Sequence, residues 1–405
     1  MTDSMSKPSK MKVNMSRNGD GEAPRMVKLG ELLTLDAEPE RIDNPADETF
    51  VTVRTKCGGA VERVIKDGKI PVAFTGYRIH EGQLIYSRID ARNNAFAIVP
   101  SELDGAVVSK DFPVFRVDER KVLKSYLMHF FRSGRLQYAI QQYSKGITNR
   151  QRIKEEVLLS FSIPLPSLEE QRRIVAVLDR ADAIRTKRRR VLADLDELPR
   201  SLFAEMFGDP VSNSKGWKYA LLSELGSVER GVSKFRPRNA PELLGGPYPL
   251  IQTGDVTRAQ LYIRDYMSTY SELGLSQSRM WHRGTLCITI AANIAQTAIL
   301  DFDACFPDSV VGFVANESTN NLFIHFWFTF FQKILERQAP ESAQKNINLK
   351  ILGQLKVILP PIELQKEFAR RVEAIAAARV KVERALALDD ELFAALQSRA
   401  FRGAL

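Results

Sequence analysis

Leu165-Pro166-Ser167-Leu168-Glu169-Glu170-Gln171 returns, 194 positions further along, as Leu359-Pro360-Pro361-Ile362-Glu363-Leu364-Gln365. The offset from Gln171 to Gln365 also carries Ile174 to Phe368, Leu198 to Leu392, Leu202 to Leu396 and Phe207 to Phe401 without a gap. In a chain of 405 residues this is a tandem repeat at about half the length, and the repeat governs the fold. Each copy reads as a helix entry. Proline is tolerated in a first turn, where its missing N–H had no partner, and acids there suit the positive end of the helix dipole.

Beyond the first entry, Ile174, Val177, Ala181, Ile184, Arg188, Val191, Leu195, Leu198 and Leu202 follow steps of three and four. In the second copy Phe368, Arg371, Ile375, Ala378, Val382, Ala385, Asp389, Leu392 and Leu396 do the same. These periods predict two long helices with coiled-coil-like seams. A seam needs a partner, either the adjoining domain or the other helix, and the shared period favours antiparallel packing of the two copies. Arg188 and Asp389 each interrupt a seam near mid-helix, so antiparallel packing would pair them, because burying either charge alone is costly. Pro199 is expected to kink or end the first helix.

The segments between the helices echo one another more faintly. Gly82-Gln83-Leu84-Ile85-Tyr86-Ser87 matches Gly284-Thr285-Leu286-Cys287-Ile288-Thr289, a turn leading into a strand. Tyr126 to Phe131 parallels the aromatic stretch Phe323 to Phe331, and both read as buried helices. The expected fold class is α+β: two α/β blocks separated by two long helices packed as an antiparallel coiled coil, with pseudo-twofold repetition. The boundaries read as a polar tail at 1–25, a first block at 26–165, a helical spacer at 166–208, a second block at 209–360 and a second spacer at 361–405.

Composition narrows the classes. The chain is 44% hydrophobic and 26% charged, near globular averages, which permits sizeable cores. Its apolar run Leu322 to Phe331 is about half of the roughly 20 residues that a membrane-crossing helix needs. Residues 1–25 lack the apolar core of a signal peptide, so a cytoplasmic address is expected. Cys57, Cys287 and Cys305 lie far apart without a C-x-x-C pair, which argues against zinc or a disulfide framework. The net charge of +9 suits a polyanion without requiring one.

An enzyme needs a constellation, and the candidates are poor. No phosphate-binding G-x-x-x-x-G-K-[ST] loop occurs. Leu359-Pro360-Pro361-Ile362 resembles an amino-methyltransferase motif only superficially, lacking the polar residue and the aromatic that would engage a flipped base. Glu119-Arg120-Lys121 with Asp104 or Asp111 could in principle hold Mg²⁺ for phosphodiester cleavage, yet such spacing is common by chance. His80, His129, His282 and His325 show no metal-ligand spacing, and His129 and His325 read as core or edge residues of apolar helices.

A surface suited to DNA remains. Arg88, Arg92, Asn93 and Asn94, with Lys145, Thr148 and Asn149, form donor-rich stretches in the first block. In the second, the comparable candidates are Lys234, Arg236, Arg238, Thr253, Asp255, Arg279, Asn293 and Gln296. Arginine can grip guanine, asparagine adenine, and lysine or threonine the phosphates. Recurrence in both blocks raises the case.

With these motifs in hand, the sequence resembles the specificity subunit of type I restriction-modification systems. The resemblance rests on Ile163 to Gln171, its echo around Gln365, Tyr86 to Pro100 and Leu250-Ile251-Gln252-Thr253-Gly254-Asp255-Val256, and covers about Met26 to Leu405. It implies two target recognition domains, each reading half of a bipartite double-stranded DNA site. It implies that the helices hold those domains apart and dock two methyltransferase subunits, with restriction subunits as further partners. Pro166, Glu169, Gln171, Pro360, Glu363 and Gln365 are the helix-motif residues expected at docking. The resemblance further implies that this chain is non-catalytic, with S-adenosylmethionine, ATP and Mg²⁺ used by the partners. Ala291 to Ala295 departs from relatives that carry glycines there. A stand-alone methyltransferase or nuclease, or a coiled-coil scaffold without DNA affinity, are the competing classes. If the first helix spans about 30 residues before Pro199, it would separate the blocks by roughly 45 Å, somewhat more than one turn of DNA.

Overall fold

The computed structural model describes residues 24–65, 72–143, 152–291, 294–330 and 347–405. They fall into two compact units: the described residues up to Arg188 together with Ala385–Leu405, and Arg189–Arg384.

The first unit is organised on an antiparallel sheet ordered Leu33–Leu35, Val114–Val117, Leu84–Tyr86, Phe96–Ile98. Leu84, Ile85 and Tyr86 are all fully buried because the sheet is covered on both faces. Leu84, Tyr86 and Phe96 face one core, while Ile85, Ala97 and Val114 face another, as the two-residue period of a strand requires. The helix Lys124–Arg132 lays Tyr126, Leu127, Phe130 and Phe131 on the first core, and the Phe96 and Phe131 rings stack with centroids 4.4 Å apart. A second sheet joins Pro39–Ile42, Phe74–Arg78 and Val107–Ser109.

The second unit repeats the plan. Its larger sheet runs Gly226–Arg230, Val310–Ala315, Leu286–Thr289, Thr297–Leu300, Tyr262–Ile263, with only the last pair parallel. The helix Asn321–Phe328 covers it and is buried from Leu322 onwards. In both units the strand leading into the long helix pairs with the strand that opens the same block. Ser162–Pro164 pairs with Met26–Lys28, and Lys356–Leu359 with Lys218–Leu221.

The long helices are Leu168–Phe207, of 40 residues, and Ile362–Ala400, of 39. Of the two outcomes expected at Pro199, a kink or an end, the end does not occur; the helix continues through it to Phe207. A proline inside a helix costs about 3 kcal/mol, whereas burying a large side chain gains roughly 1.5–3 kcal/mol. Three such side chains, Leu202, Phe203 and Phe207, enter the core beyond the proline and outweigh it.

The helices run antiparallel within each unit. In the first, Arg188 pairs with Asp389, as the interrupted seams predict, and Arg185 Nε donates to Asp390 at 2.6 Å. In the second, Arg379 pairs with Asp196 at 2.6 Å, and Phe203 and Phe207 pack edge-on against Phe368. One of the two expected rows faces inward, with Ile174 and Leu202 buried and Ala181, Arg188 and Leu195 half-buried, while the other row lies one residue further along. Leu178, Arg185 and Phe203 face the partner helix or core, while Ile184, Val191 and Leu198 are 43–45% exposed. At the shifted position a long arginine stem fills the seam: the Arg185 guanidinium lies 4.2 Å over the Phe393 ring.

Candidate nucleic-acid interface

In the first unit the donor-rich stretch follows the buried strand Leu84–Tyr86, and its residues divide by where the turn aims them. Arg88 points inward: its guanidinium pairs with Glu155 and its side chain is only 25% exposed. Its backbone carbonyl accepts from Ile153 N–H at 3.1 Å, while the Tyr86 hydroxyl donates to Ile153 carbonyl at 3.2 Å. Arg88 is therefore a brace, and the expectation that it faces DNA does not fit this geometry. Asn94 is corrected likewise. It is buried, caps the short helix Ala91–Asn93 and adopts the left-handed conformation at φ 55°, which asparagine tolerates better than most residues. Arg92 is half-buried in that helix, and Asn93 is exposed with its amide donating to Asp90 at 3.2 Å. Lys145, Thr148, Asn149 and Asn293 lie outside the described residues.

The second unit presents a more open arrangement. Lys234, Phe235, Arg236, Pro237 and Arg238 are all exposed on one loop. Its backbone is pinned, since Gln277 Oε1 accepts from the Lys234 N–H at 2.6 Å and from the Phe235 N–H at 3.0 Å. Arg236 and Arg238 share one carboxylate, Asp308, leaving an excess of positive charge beside an exposed aromatic ring. Cations that track phosphates with an adjacent stacking platform form the chemistry of a nucleic-acid surface. Arg279 is exposed, pairs with Glu229 and lies 4.1 Å over the Trp281 ring. Gln296 is exposed, and its backbone N–H donates to Thr289 Oγ1 at 3.1 Å. Ala295 beside it holds φ 62°, a region that favours glycine.

Asp255 is not a surface contact. It is buried, accepts the Gln252 N–H at 2.8 Å and pairs with Arg258, so it caps the helix Thr253–Arg258. Thr253 is half-buried in the first position of that helix, where its carbonyl accepts from Thr257 at 2.9 Å.

The helix-motif residues also divide. Glu169 and Glu363 are exposed, the latter paired with Lys366 at 2.9 Å. Gln171 and Gln365 are fully buried and bind the carbonyls of Pro166 and Pro360, each at 2.9 Å, so neither amide is available at a docking surface.

The nuclease alternative finds no convergence. Glu119 pairs with Lys124 and Lys121 with Asp118, while Asp104 holds His80 and Asp111 holds Arg152. Among the described residues no group of three or more metal-ligating side chains gathers, and no helix is long and apolar enough to cross a membrane. The cysteine thiols are buried, and desolvation pushes Cys57 up to about 11. His129 and His325 are buried, as expected; burial draws His325 down to about 4.

Sequence reasoning missed a repeated clasp. His80 Nδ1 meets Asp104 at 3.2 Å while Asp104 accepts Glu81 N–H at 2.9 Å; His282 Nδ1 meets Asp303 at 3.2 Å while Asp303 accepts Arg283 N–H at 2.8 Å. Each clasp closes the turn at Gly82 or Gly284, both at positive φ. The shared His-x-Gly spacing was the available signal. Also missed was the run Arg185 to Arg190, which leaves Lys187 and Arg190 exposed on the first long helix.

A model of the type I restriction modification DNA specificity domain matches the chain twice, at residues 27–193 and 214–387. The chain belongs to the type I restriction-modification DNA specificity family. Each matched segment contains one sheet system and runs into a long helix, so the family repeat and the structural repeat coincide. The EcoBI type I restriction enzyme specificity subunit of Escherichia coli is 24% identical over 373 residues, covering 84% of this chain and 76% of that protein. A Methanocaldococcus jannaschii protein assigned as the MjaX type I restriction enzyme specificity subunit is 22% identical over 351 residues, covering 80% and 81%. The solved S subunit of the M. genitalium type I system shares the fold with a TM-score of 0.55 at 14% identity, covering 96% of this chain and 98% of that one. A chain from a structural study of type I complex assembly and conformational transition gives 0.60 at 20%, covering 96% and all of that chain. This specificity chain serves DNA sequence recognition in a type I restriction-modification system.

Proposed function

We propose that this chain is the non-catalytic reader of a bipartite double-stranded DNA site, working in the cytoplasm. Residues 26–165 form one target recognition domain and 209–360 the other, each reading one half-site. Residues 166–208 and 361–405 hold them at a fixed spacing and dock two methyltransferase subunits, with restriction subunits joining the same complex. S-adenosylmethionine, ATP and Mg²⁺ act on those partners. The observation that carries this reading is the duplication: the larger sheets of the two units share one order over four strands, and in each unit the strand that enters the long helix pairs with the strand that opens the block.

Within the second domain, the Lys234, Arg236 and Arg238 loop, with Arg279 and Gln296, is the surface best disposed for DNA; in the first, Arg92 and Asn93 are. Docking is supported within each unit by apolar helix residues that remain exposed, Ile184, Leu388 and Leu392 in the first and Val191 and Leu198, seven residues apart, in the second. The test supplies the chain to cells that hold cognate methyltransferase subunits and maps methylated adenines by single-molecule sequencing. The expected result is one two-part motif with an unread gap, present only when both components are. Methylation by the chain alone, or a continuous motif, overturns the reading.

A further inference from the structure

Each long helix begins with the same buried amide. Gln171 is the fourth residue of Leu168–Phe207 and Gln365 the fourth of Ile362–Ala400; both side chains are 0% exposed. Gln171 Nε2 donates to the carbonyls of Pro166 at 2.9 Å and Lys121 at 3.0 Å, and Oε1 accepts the Leu123 N–H at 2.9 Å. Gln365 Nε2 donates to the carbonyls of Pro360 at 2.9 Å and Ser318 at 3.4 Å, and Oε1 accepts the Thr319 hydroxyl at 2.9 Å. Both hydrogens of each amide and one oxygen lone pair are engaged. Glutamate lacks the donors, lysine the acceptor, and methionine both.

In each unit the amide joins three pieces: the extended residues after the strand Ser162–Pro164 or Lys356–Leu359, the first turn of the long helix, and the segment that leads into the aromatic helix. Leu123 immediately precedes Lys124–Arg132, and Thr319 precedes Asn320, the N-cap of Asn321–Phe328. The receiving groups differ, a backbone N–H in one unit and a side-chain hydroxyl in the other. The three-way tie is nevertheless the same. The following turns are held by burial, through Ile174 and Leu178 in one unit and Phe368 and Val372 in the other, and the amide ties down the first turn itself, next to Pro166 or Pro360.

We infer that Gln171 and Gln365 are positioning residues that fix the direction in which each long helix leaves its own recognition domain, and so hold the gap between half-sites to one length. The inference rests on the proposed reading of the helices as a spacer. The lever is long: 17 residues from Gln171 to Arg188 rise about 25 Å at 1.5 Å each, so a swing of about 8° displaces Arg188 by roughly 3.5 Å. That displacement matches one base-pair step of about 3.4 Å.

The test uses the chain assembled with its methyltransferase subunits and carrying Gln171→Met, Gln365→Met or Thr319→Val. The substrate is a DNA library with both half-sites fixed and the gap varied by up to two base pairs either way, with thermal unfolding measured in parallel. The wild type is expected to methylate one gap at least about tenfold faster than its neighbours. Thr319→Val is expected to cut that ratio by about fivefold, the scale of one lost hydrogen bond, and the methionine variants, which lose three, by at least as much, with the half-site bases unchanged. A folded variant that keeps the wild-type gap ratio, even with a lower Tm or a uniformly lower rate, overturns the inference, because a purely structural role moves only those quantities. Should the methionine variants fail to fold, the nearly isosteric Thr319→Val decides alone. A wild type without any gap preference overturns the spacer reading beneath it, an outcome distinct from a retained ratio.

Discussion

Lengthening both helices near residues 190 and 384, where the chain passes from one unit to the other, is a direct perturbation of the spacer. Four helix-forming residues inserted after Arg190, and four more after Arg384, interrupt neither the Arg185–Asp390 and Arg188–Asp389 pairs nor the Arg379–Asp196 pair. A single insertion in the first helix would instead carry Asp196 about 6 Å from Arg379, at 1.5 Å per residue. With both helices lengthened, the same 6 Å of rise argues for just under two added base-pair steps. The rotation, about 40° for four residues at 3.6 per turn, is closer to the roughly 34–36° of one step, since a DNA turn holds about 10–10.5 base pairs. Rise and twist thus bracket an unread gap longer by one or two base pairs. The assay is methylated-adenine mapping in cells carrying the lengthened chain with its methyltransferase subunits. Active variants that keep the original gap, or that change the bases read while keeping the gap, would refute the spacer argument.

Other perturbations test separate parts of the account. A double-mutant cycle on Arg188→Met and Asp389→Leu should give a coupling of about 1 kcal/mol or less in urea unfolding, because the Arg188 side chain is 38% exposed and screened; no coupling contradicts the pairing. His325, held neutral by burial with a pKa of about 4 against 6.5 when unfolded, contributes stability that is full above pH 6.5 and is lost as pH falls towards 4. At pH 5 the penalty is about 2 kcal/mol relative to pH 7.5, and His325→Gln should remove that acid-dependent part; identical pH profiles for variant and wild type would contradict it. Val191→Asp with Leu198→Asp should leave the stability of the free chain within about 0.5 kcal/mol yet weaken assembly with methyltransferase subunits, measured by titration calorimetry; unaltered assembly removes this stripe from docking.

The repeat, the two long helices and the Arg188–Asp389 pair were legible because they depend on periodicity, and periodicity survives in the letters. Half of the first helix's inner face was not, for although the row Ile174, Ala181, Arg188, Leu195 and Leu202 faces inward as expected, the row beside it does not. Ile184, Val191 and Leu198 repeat as regularly as a seam would, and only the folded partner shows that Leu178, Arg185 and Phe203 occupy the inner face. That the helix runs on past Pro199 was hidden for a related reason: propensity is local, whereas Phe203 and Phe207 draw their stabilisation from a core assembled by residues more than a hundred positions away. The DNA-facing set was the least legible part. Arg88, Asn94 and Asp255 carry the right chemistry for bases, but a brace, a left-handed cap and a capping box use the same groups. Side-chain type states what a residue can bind; its backbone setting decides whether anything outside the protein can reach it.

The central claim, that two independent readers share one chain, is tested most directly by replacing residues 209–360 with the corresponding block of another specificity subunit and sequencing the methylated sites. The account predicts that one half of the motif changes to the donor's sequence while the other half and the gap remain. A motif altered in both halves, or unaltered in either, would contradict it.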